Sequence, residues 1–413
     1  MSKVKVIITS IGIVITCLLI VTLFPSSGLN SSINKIVADY RFDLLGWEWQ
    51  ALSYEIKEFV FGDDEVTADE SHIVLDYFTL VQQIASLERQ IIAIRSGTEA
   101  GDLASLEAEL DELQIQKDDL EDKAEKVLER QVKETLAQLD IYNPMDNSLG
   151  FEVTFPPVNF ILEQPPHLLV ISPRENIERI KEVRLRQDIT MEEIAEIEAA
   201  IDELEFSSLV VGLGGIATYP AFVSSESSLY YAISTAVEEW LHQYLVFKPL
   251  GFQYVLHLVG ITQDYEIMIM NETVVGIASN EIGDILYQRY YSQYFAESSQ
   301  VEASETTETE FDFYKEMREI RITVDEYLAQ GEIEQAEEYM EQKRLFINSH
   351  GYYIRKLNQA YFAFYGTYAA GPTSVNPIGD ELRALRSQSD SLSGFINAVA
   401  SMTSRIELID SIE

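Results

Sequence analysis

The sequence predicts a helix-rich α+β fold: an N-terminal transmembrane helix, an antiparallel, coiled-coil-like helical hairpin, a core with a small sheet, and a C-terminal helical region. Three observations carry this. An apolar run opens the chain, a heptad pattern broken once follows it, and proline-punctuated, β-rich pieces further on give way to helical periodicity. A chain of 413 residues can bury a sizeable core and divides into two or three structural units.

The opening run, residues 6–24, is 19 residues long and almost purely apolar, enough for one bilayer-spanning helix. Lys3 and Lys5 precede it, which predicts a single-pass membrane protein with a cytoplasmic N-terminus and the bulk of the chain outside. A cleaved signal peptide is the competing reading, but the run is long for one and no small-x-small site precedes Pro25. Residues 1–25 are thus the expected anchor. The only cysteine, Cys17, lies inside the run, so the rest of the chain has no thiol for a disulfide, a nucleophile or a metal ligand.

Residues 26–145 read as a helical region. An amphipathic helix over 33–61 carries Trp47 and Trp49, suited to a membrane interface or to packing on the body of the protein. Tyr77, Leu80, Ile84, Leu87, Ile91 and Ile94 then recur at alternating spacings of three and four. A break over 96–102 contains Gly97 and Gly101, and the pattern resumes with Leu103, Leu106, Leu110, Leu113, Leu120, Ala124 and Val127. Two heptad helices around a short break form an antiparallel hairpin. It serves as a packing arm or as a partner-binding coiled coil.

Asn143-Pro144 closes this arm, and residues 146–296 read as an α+β core. Strands are expected around His167–Ile171 and Ser208–Val211, with a helix over 191–204 between them. Gly212, Gly214 and Gly215 follow without the Gly-Lys-Ser/Thr of a phosphate loop or dinucleotide-type spacing. His257 is assigned to a strand, as a packing residue. Residues 297–312 are acidic and rich in Ser and Thr, which predicts a flexible loop. Residues 313–413 form a helical subdomain: a helix to Gln330, a second to His350, a third through Tyr368 and a final one over 383–409.

Lys and Arg number 29 against 69 Asp and Glu, a net charge of -40. That balance excludes binding to nucleic-acid backbones and broad docking on anionic lipid.

The chemistry concentrates in Glu238-Glu239-Trp240-Leu241-His242 and Asn271-Glu272-Thr273. On a helix, Glu238 and His242 are one turn apart on one face, with Glu239 rotated from them by about 100°. Glu272 heads a second apolar helix whose face carries Gly276, Ser279 and Gly283, small enough for close packing. Glu238, His242 and Glu272 are candidate metal ligands, and Glu239 a candidate general base. The alternative is a buried hydrogen-bonded cluster in which Glu272 caps its helix. Zinc suits the set, and manganese gains ground because two of the three ligands are carboxylates. Tyr361, Tyr365, Tyr368 and His350 are the candidates for stabilising an oxyanion, with Tyr361 and Tyr365 foremost.

The two motifs resemble the zinc site of thermolysin-like metallopeptidases (gluzincins), His-Glu-x-x-His plus a downstream Asn-Glu. More specifically, residues 151–368 are similar to bacterial membrane-anchored predicted metallopeptidases whose helix reads close to His-Glu-Trp-x-His-His-Tyr-Leu, followed by Pro-Leu-Gly and Asn-Glu-Thr. Here these stand as Glu238 to Leu245, Pro249-Leu250-Gly251 and Asn271-Glu272-Thr273. The resemblance implies a gluzincin-like core, metal-dependent peptide hydrolysis outside a membrane, and a peptide lying along the segment 210–219. Glu238 and Gln243 replace His of that pattern, and Gly276 stands where an Asp orients the first His. An altered shell implies weakened hydrolysis, or a catalytically inactive scaffold that binds a peptide or protein partner at the cell envelope.

Overall fold

The computed structural model describes residues 30–44, 46–47, 70–142, 154–258, 261–262, 264–295, 311–367 and 375–412. The expected anchor over 6–24, Trp49, most of the helix expected over 33–61, the acidic loop up to residue 310 and Tyr368 lie outside them. Among the described residues no helix is long and apolar enough to cross a membrane. The expectations of a transmembrane helix and of single-pass topology are corrected accordingly: the described fold is helix-rich with two small sheets and shows no spanning element. Its long helices carry charges at several turns, as in Glu266, Glu272, Glu281, Asp284 and Arg289 of the longest buried one.

Helix α1 (Asn30–Ile36) is followed by a single 3-10 turn (Ala38–Tyr40) and an extended stretch, so the helix expected from residue 33 is interrupted before residues 44, 46 and 47, which are helical again. The chain turns extended there because it joins a sheet: Arg41 bridges Leu185, and the Phe42 N–H donates to the Arg184 carbonyl at 3.1 Å. Trp47 packs on Phe222, ring centroids 4.3 Å apart.

The heptads form α2 (Ser71–Arg95) and α3 (Leu103–Gln138), packed side by side. Asp102 caps α3 by accepting from the Ser105 N–H. The base of the pair, with Val74, Tyr77 and Val81 against Val127, Leu128 and Val132, is buried in the main core. Toward its far end Leu87 and Ile91 stay buried in the seam outside that core, while Ile92 and Ile115 face outward, each 64% exposed.

Sheet one runs β3 (Lys181–Leu185), β2 (His167–Pro173), β4 (Phe206–Val211), all antiparallel. Side chains alternate across it. Leu169, Ile171, Val183, Leu185 and Val210 face α4 (Met191–Asp202) and α1, while Leu168, Val170, Leu209 and Val211 face the opposite way. Sheet two runs β1 (Phe160–Leu162), β6 (Ala221–Val223), β5 (Gly215–Ile216), with β1 parallel to β6 and β5 antiparallel to it. The β1 edge is closed by the hairpin: the Phe160 and Leu162 N–H groups donate to Glu129 and Glu125 at 3.0 and 2.6 Å.

Three helices then carry the motifs: α5 (Leu229–Leu245), α6 (Pro249–Leu258) and α7 (Tyr265–Tyr290). His257 therefore sits on a helix, not a strand. Proline at the first helical position, with its fixed φ, sets the start and overrides the β-like composition of the segment. Glu272 is also not a helix start. Asp264 caps α7 by accepting from the Ile267 N–H at 3.1 Å, so Glu272 lies two turns inside. A short helix α8 (Ser292–Phe295) follows.

Helices α9 (Phe313–Ala329) and α10 (Ile333–Ser349) form a second hairpin with its own core of Met317, Ile320, Val324, Ala336, Met340 and Ile347. The third helix, α11 (Gln359–Tyr365), is short and lays Ala360 and Phe364 on the open face of sheet one. The final helix expected over 383–409 is three: α12 (Ile378–Gln388), α13 (Leu392–Ala400) and α14 (Arg405–Ile412). Ser391 caps α13, which forces the break, and the three helices bury Leu382, Phe395 and Leu408 in the same core as α7.

Candidate metal centre

The sequence of α5 fixes which side chains face the site. Ser228 caps it, and the helix then buries Ala232, Ile233, Ala236, Val237, Trp240 and Leu241 in the main core. Trp240 anchors it by donating to the Pro156 carbonyl at 2.8 Å. Gln243 donates to the Thr218 carbonyl at 2.6 Å. That residue, a departure from the resembled pattern, thus holds a loop.

The opposite face presents Glu238 and His242, and α7 brings Glu272 to meet them. One ligand atom from each of Glu238, His242 and Glu272 lies within 4.8 Å of the others, so the group could hold a metal ion. The His242 Nε2 to Glu272 Oε2 distance is 3.8 Å. Two ligands about 2.1 Å from a tetrahedral zinc are about 3.4 Å apart, so this pair closes on a metal with a shift of a few tenths of an ångström.

His242 is also oriented. Its Nδ1 lies 3.1 Å from Asn271 Oδ1. In the tautomer whose Nδ1 carries the hydrogen, the amide oxygen accepts it and Nε2 turns its lone pair toward Glu272. A lone pair facing a carboxylate oxygen in a largely buried site is repulsive unless a proton or a cation lies between them.

The electrostatics point the same way. Burial pushes the Glu238 carboxyl above the usual carboxylate range, with His242 opposing and Glu272 reinforcing. Burial pushes Glu239 up further; the charges on Glu238 and Glu272 add to it, and Arg184 on β3 only partly offsets them. Three carboxylates meet here with too little positive charge, and a divalent ion would supply what is missing.

Glu239 sits beside the metal group and against β5. A Cβ on Gly215 would meet Glu239 Oε1 and the Thr235 side chain at 2.5 Å each. Glycine at 215 is therefore required by the close approach of the base to a sheet edge.

That edge narrows the expectation for 210–219 to its second half. β4 ends at Val211, and its outer groups are taken: the Val210 N–H donates to Glu198 at 2.7 Å, and the Val210 and Ser208 carbonyls accept from Arg355 at 3.0 Å and Asn358 at 2.8 Å. A peptide cannot pair with atoms already bonded. The edge strand beside Glu239 is β5, Gly215–Ile216.

Of the expected oxyanion residues, Tyr361 packs between sheet one and the α9–α10 core, and burial raises its phenol. Tyr365 is one step from the site: burial raises its phenol and Tyr231 adds to this. His350 stacks on Phe311 at 4.3 Å and bonds to the Phe346 carbonyl, within a separate aromatic cluster. The phenol that feels the two motif carboxylates is Tyr231, raised by partial burial and then by Glu238 and Glu239. It lies seven residues before Glu238, on the same face of α5, so helical spacing alone could have found it. Tyr254, whose hydroxyl donates to Glu272 Oε1 at 2.5 Å, and Arg184 reach the site only through the tertiary fold.

A cavity of about 440 Å³ elsewhere is lined by Arg174, Arg344, Arg355, Lys356 and Gln359. Each of those cations is already paired, with Glu337, Glu341, Glu198 and Asp202 respectively. Against protein-family models, curated proteins and solved structures alike, the chain gives no match.

Proposed function

We propose that the protein is a metal-dependent peptide hydrolase of the gluzincin kind with an altered ligand set. The observation that carries this is the convergence of Glu238, His242 and Glu272 to within 4.8 Å from two helices, with Glu239 beside them. Zinc fits the donor set, with manganese as the competitor. When bound, the ion would polarise a peptide carbonyl and acidify the attacking water.

The protein's own groups have the remaining roles. Glu239 takes a proton from the water and returns it to the leaving amine. Tyr231, on the exposed rim of the same helix face, donates to the developing oxyanion. The peptide lies along β5, the edge strand that Glu239 packs against. Glu238 sets the rate: two carboxylates neutralise a dication that two imidazoles and one carboxylate would leave positive, so the water is less acidified and hydrolysis is slow.

Elemental mass spectrometry of the purified full chain, beside Glu272→Ala, is the test. About one zinc or manganese per chain in the parent and none in the variant is the expected result. No metal in the parent after incubation with excess zinc would refute the enzyme and leave a peptide-binding scaffold as the function.

A further inference from the structure

We propose that Tyr254 is the positioning residue that makes Glu272 a single-oxygen metal ligand, an inference that rests on the metal-site reading above. Tyr254 comes from α6, the one motif helix that supplies no ligand. Gly251 docks this helix hard against the end of α5, where a Cβ would overlap the Leu245 backbone. From there the Tyr254 ring stacks on the His242 imidazole, centroids 5.9 Å apart and planes 21° from parallel. Its hydroxyl donates to Glu272 Oε1 at 2.5 Å. One side chain thus touches two of the three ligands.

The consequence lies in which oxygen of Glu272 is left. The terminal torsion of a glutamate is broad, so an unrestrained carboxylate presents either oxygen, or both. With Oε1 held by the tyrosine, Oε2 faces His242 Nε2 at 3.8 Å. A competitor for the carboxylate is close by. Arg179, paired with Glu182 at 2.6 Å, is near enough for its charge to act on both Tyr254 and Glu272. A carboxylate released from Tyr254 is free to turn toward that guanidinium, which would take it from the metal. The hydroxyl is a neutral donor, so it fixes Glu272 without spending the negative charge the metal needs. Groups that orient ligands in this way commonly govern affinity as strongly as a weak ligand does.

The test is a competitive zinc titration of the metal-free full chain for the parent, Tyr254→Phe, Glu272→Ala and the double variant. Tyr254→Phe keeps the ring on His242 and removes only the hydroxyl. It should bind zinc about 10- to 100-fold more weakly at an unchanged metal-free unfolding midpoint, and shift the visible absorption of bound cobalt as Glu272 changes its binding. In the Glu272→Ala background the same change should be silent, because the hydroxyl acts through Glu272. Zinc affinity in Tyr254→Phe within about threefold of the parent would overturn the positioning role and leave the metal site standing. A parent that binds no zinc overturns both. If Tyr254→Phe unfolds, Tyr254→Met, which fills similar space without a hydroxyl, repeats the comparison; an unfolded metal-free Tyr254→Met makes Tyr254 a fold residue and overturns the proposal.

Discussion

At the residue scale, the site is a concentration of negative charge held in place by the packing around it. Its pH behaviour has a definite sign. Glu239 titrates well above its ordinary value of 4.5 in the folded chain. In metal-free protein, the folded state holds a proton that the unfolded state has already lost above that pH. The stabilising effect is full below that ordinary, unfolded value and is lost as pH rises through the folded value. The unfolding midpoint of metal-free protein should therefore drop more steeply with rising pH than that of Glu239→Gln, and bound zinc should flatten the difference. In catalysis, Glu239→Gln should keep the metal and lose about 10²- to 10⁴-fold in peptide hydrolysis, read in a peptidase assay of the zinc-loaded chain. Glu238→His should move the rate the other way. If both variants hydrolyse peptide as fast as the parent, neither residue has the role given to it.

At the element scale, burial differs along one hairpin, and stability should follow it. Leu128 at the base is buried against α2, whereas Ile115 toward the far end is 64% exposed. Leu128→Ala should cost about 2–5 kcal/mol by leaving a cavity, and Ile115→Ala should stay within about 0.5 kcal/mol. Denaturant midpoints of the two variants decide it; equal losses would mean that the far end is covered. β5 is the other sensitive element. In Gly215→Ala the new methyl meets Glu239 and Thr235 at 2.5 Å. The base or the edge strand must shift, at a cost of about 1–3 kcal/mol in the same measurement.

At the whole-molecule scale, the C-terminal helices complete the core that carries the motif. Arg386 binds Glu281 through two bonds of 2.6 and 2.9 Å, and Arg405 joins Glu381 to Glu266 at 2.6 and 2.9 Å. Both tie α12 and α14 to α7, the helix that bears Glu272. Phe395 of α13, which packs on α6, α7 and α12, is fully buried. Phe395→Ala should cost about 3–5 kcal/mol and should weaken zinc binding as α7 loosens. Unchanged affinity in a destabilised variant would show that the α5–α7 contact holds the site without them.

The sequence by itself determined what local chemistry can determine. The heptads fixed α2 and α3, since a two-helix seam is written in successive residues. Glu238, Glu239 and His242 fall on the site-facing side of α5 because one helical turn fixes their spacing. The Asn271-Glu272 pair was legible as a ligand source, and the start of its helix was written in the capping Asp264 two turns before it, not in Glu272. What only the tertiary structure decided is which groups meet. Neither Tyr254, on a helix that supplies no ligand, nor Arg184, on β3, is marked by its own sequence as meeting the site. The edge of β4 is closed by Arg355 and Asn358, roughly 150 residues away. Whether a peptide edge is free depends on contacts distant in the chain, and local periodicity carries no information about those.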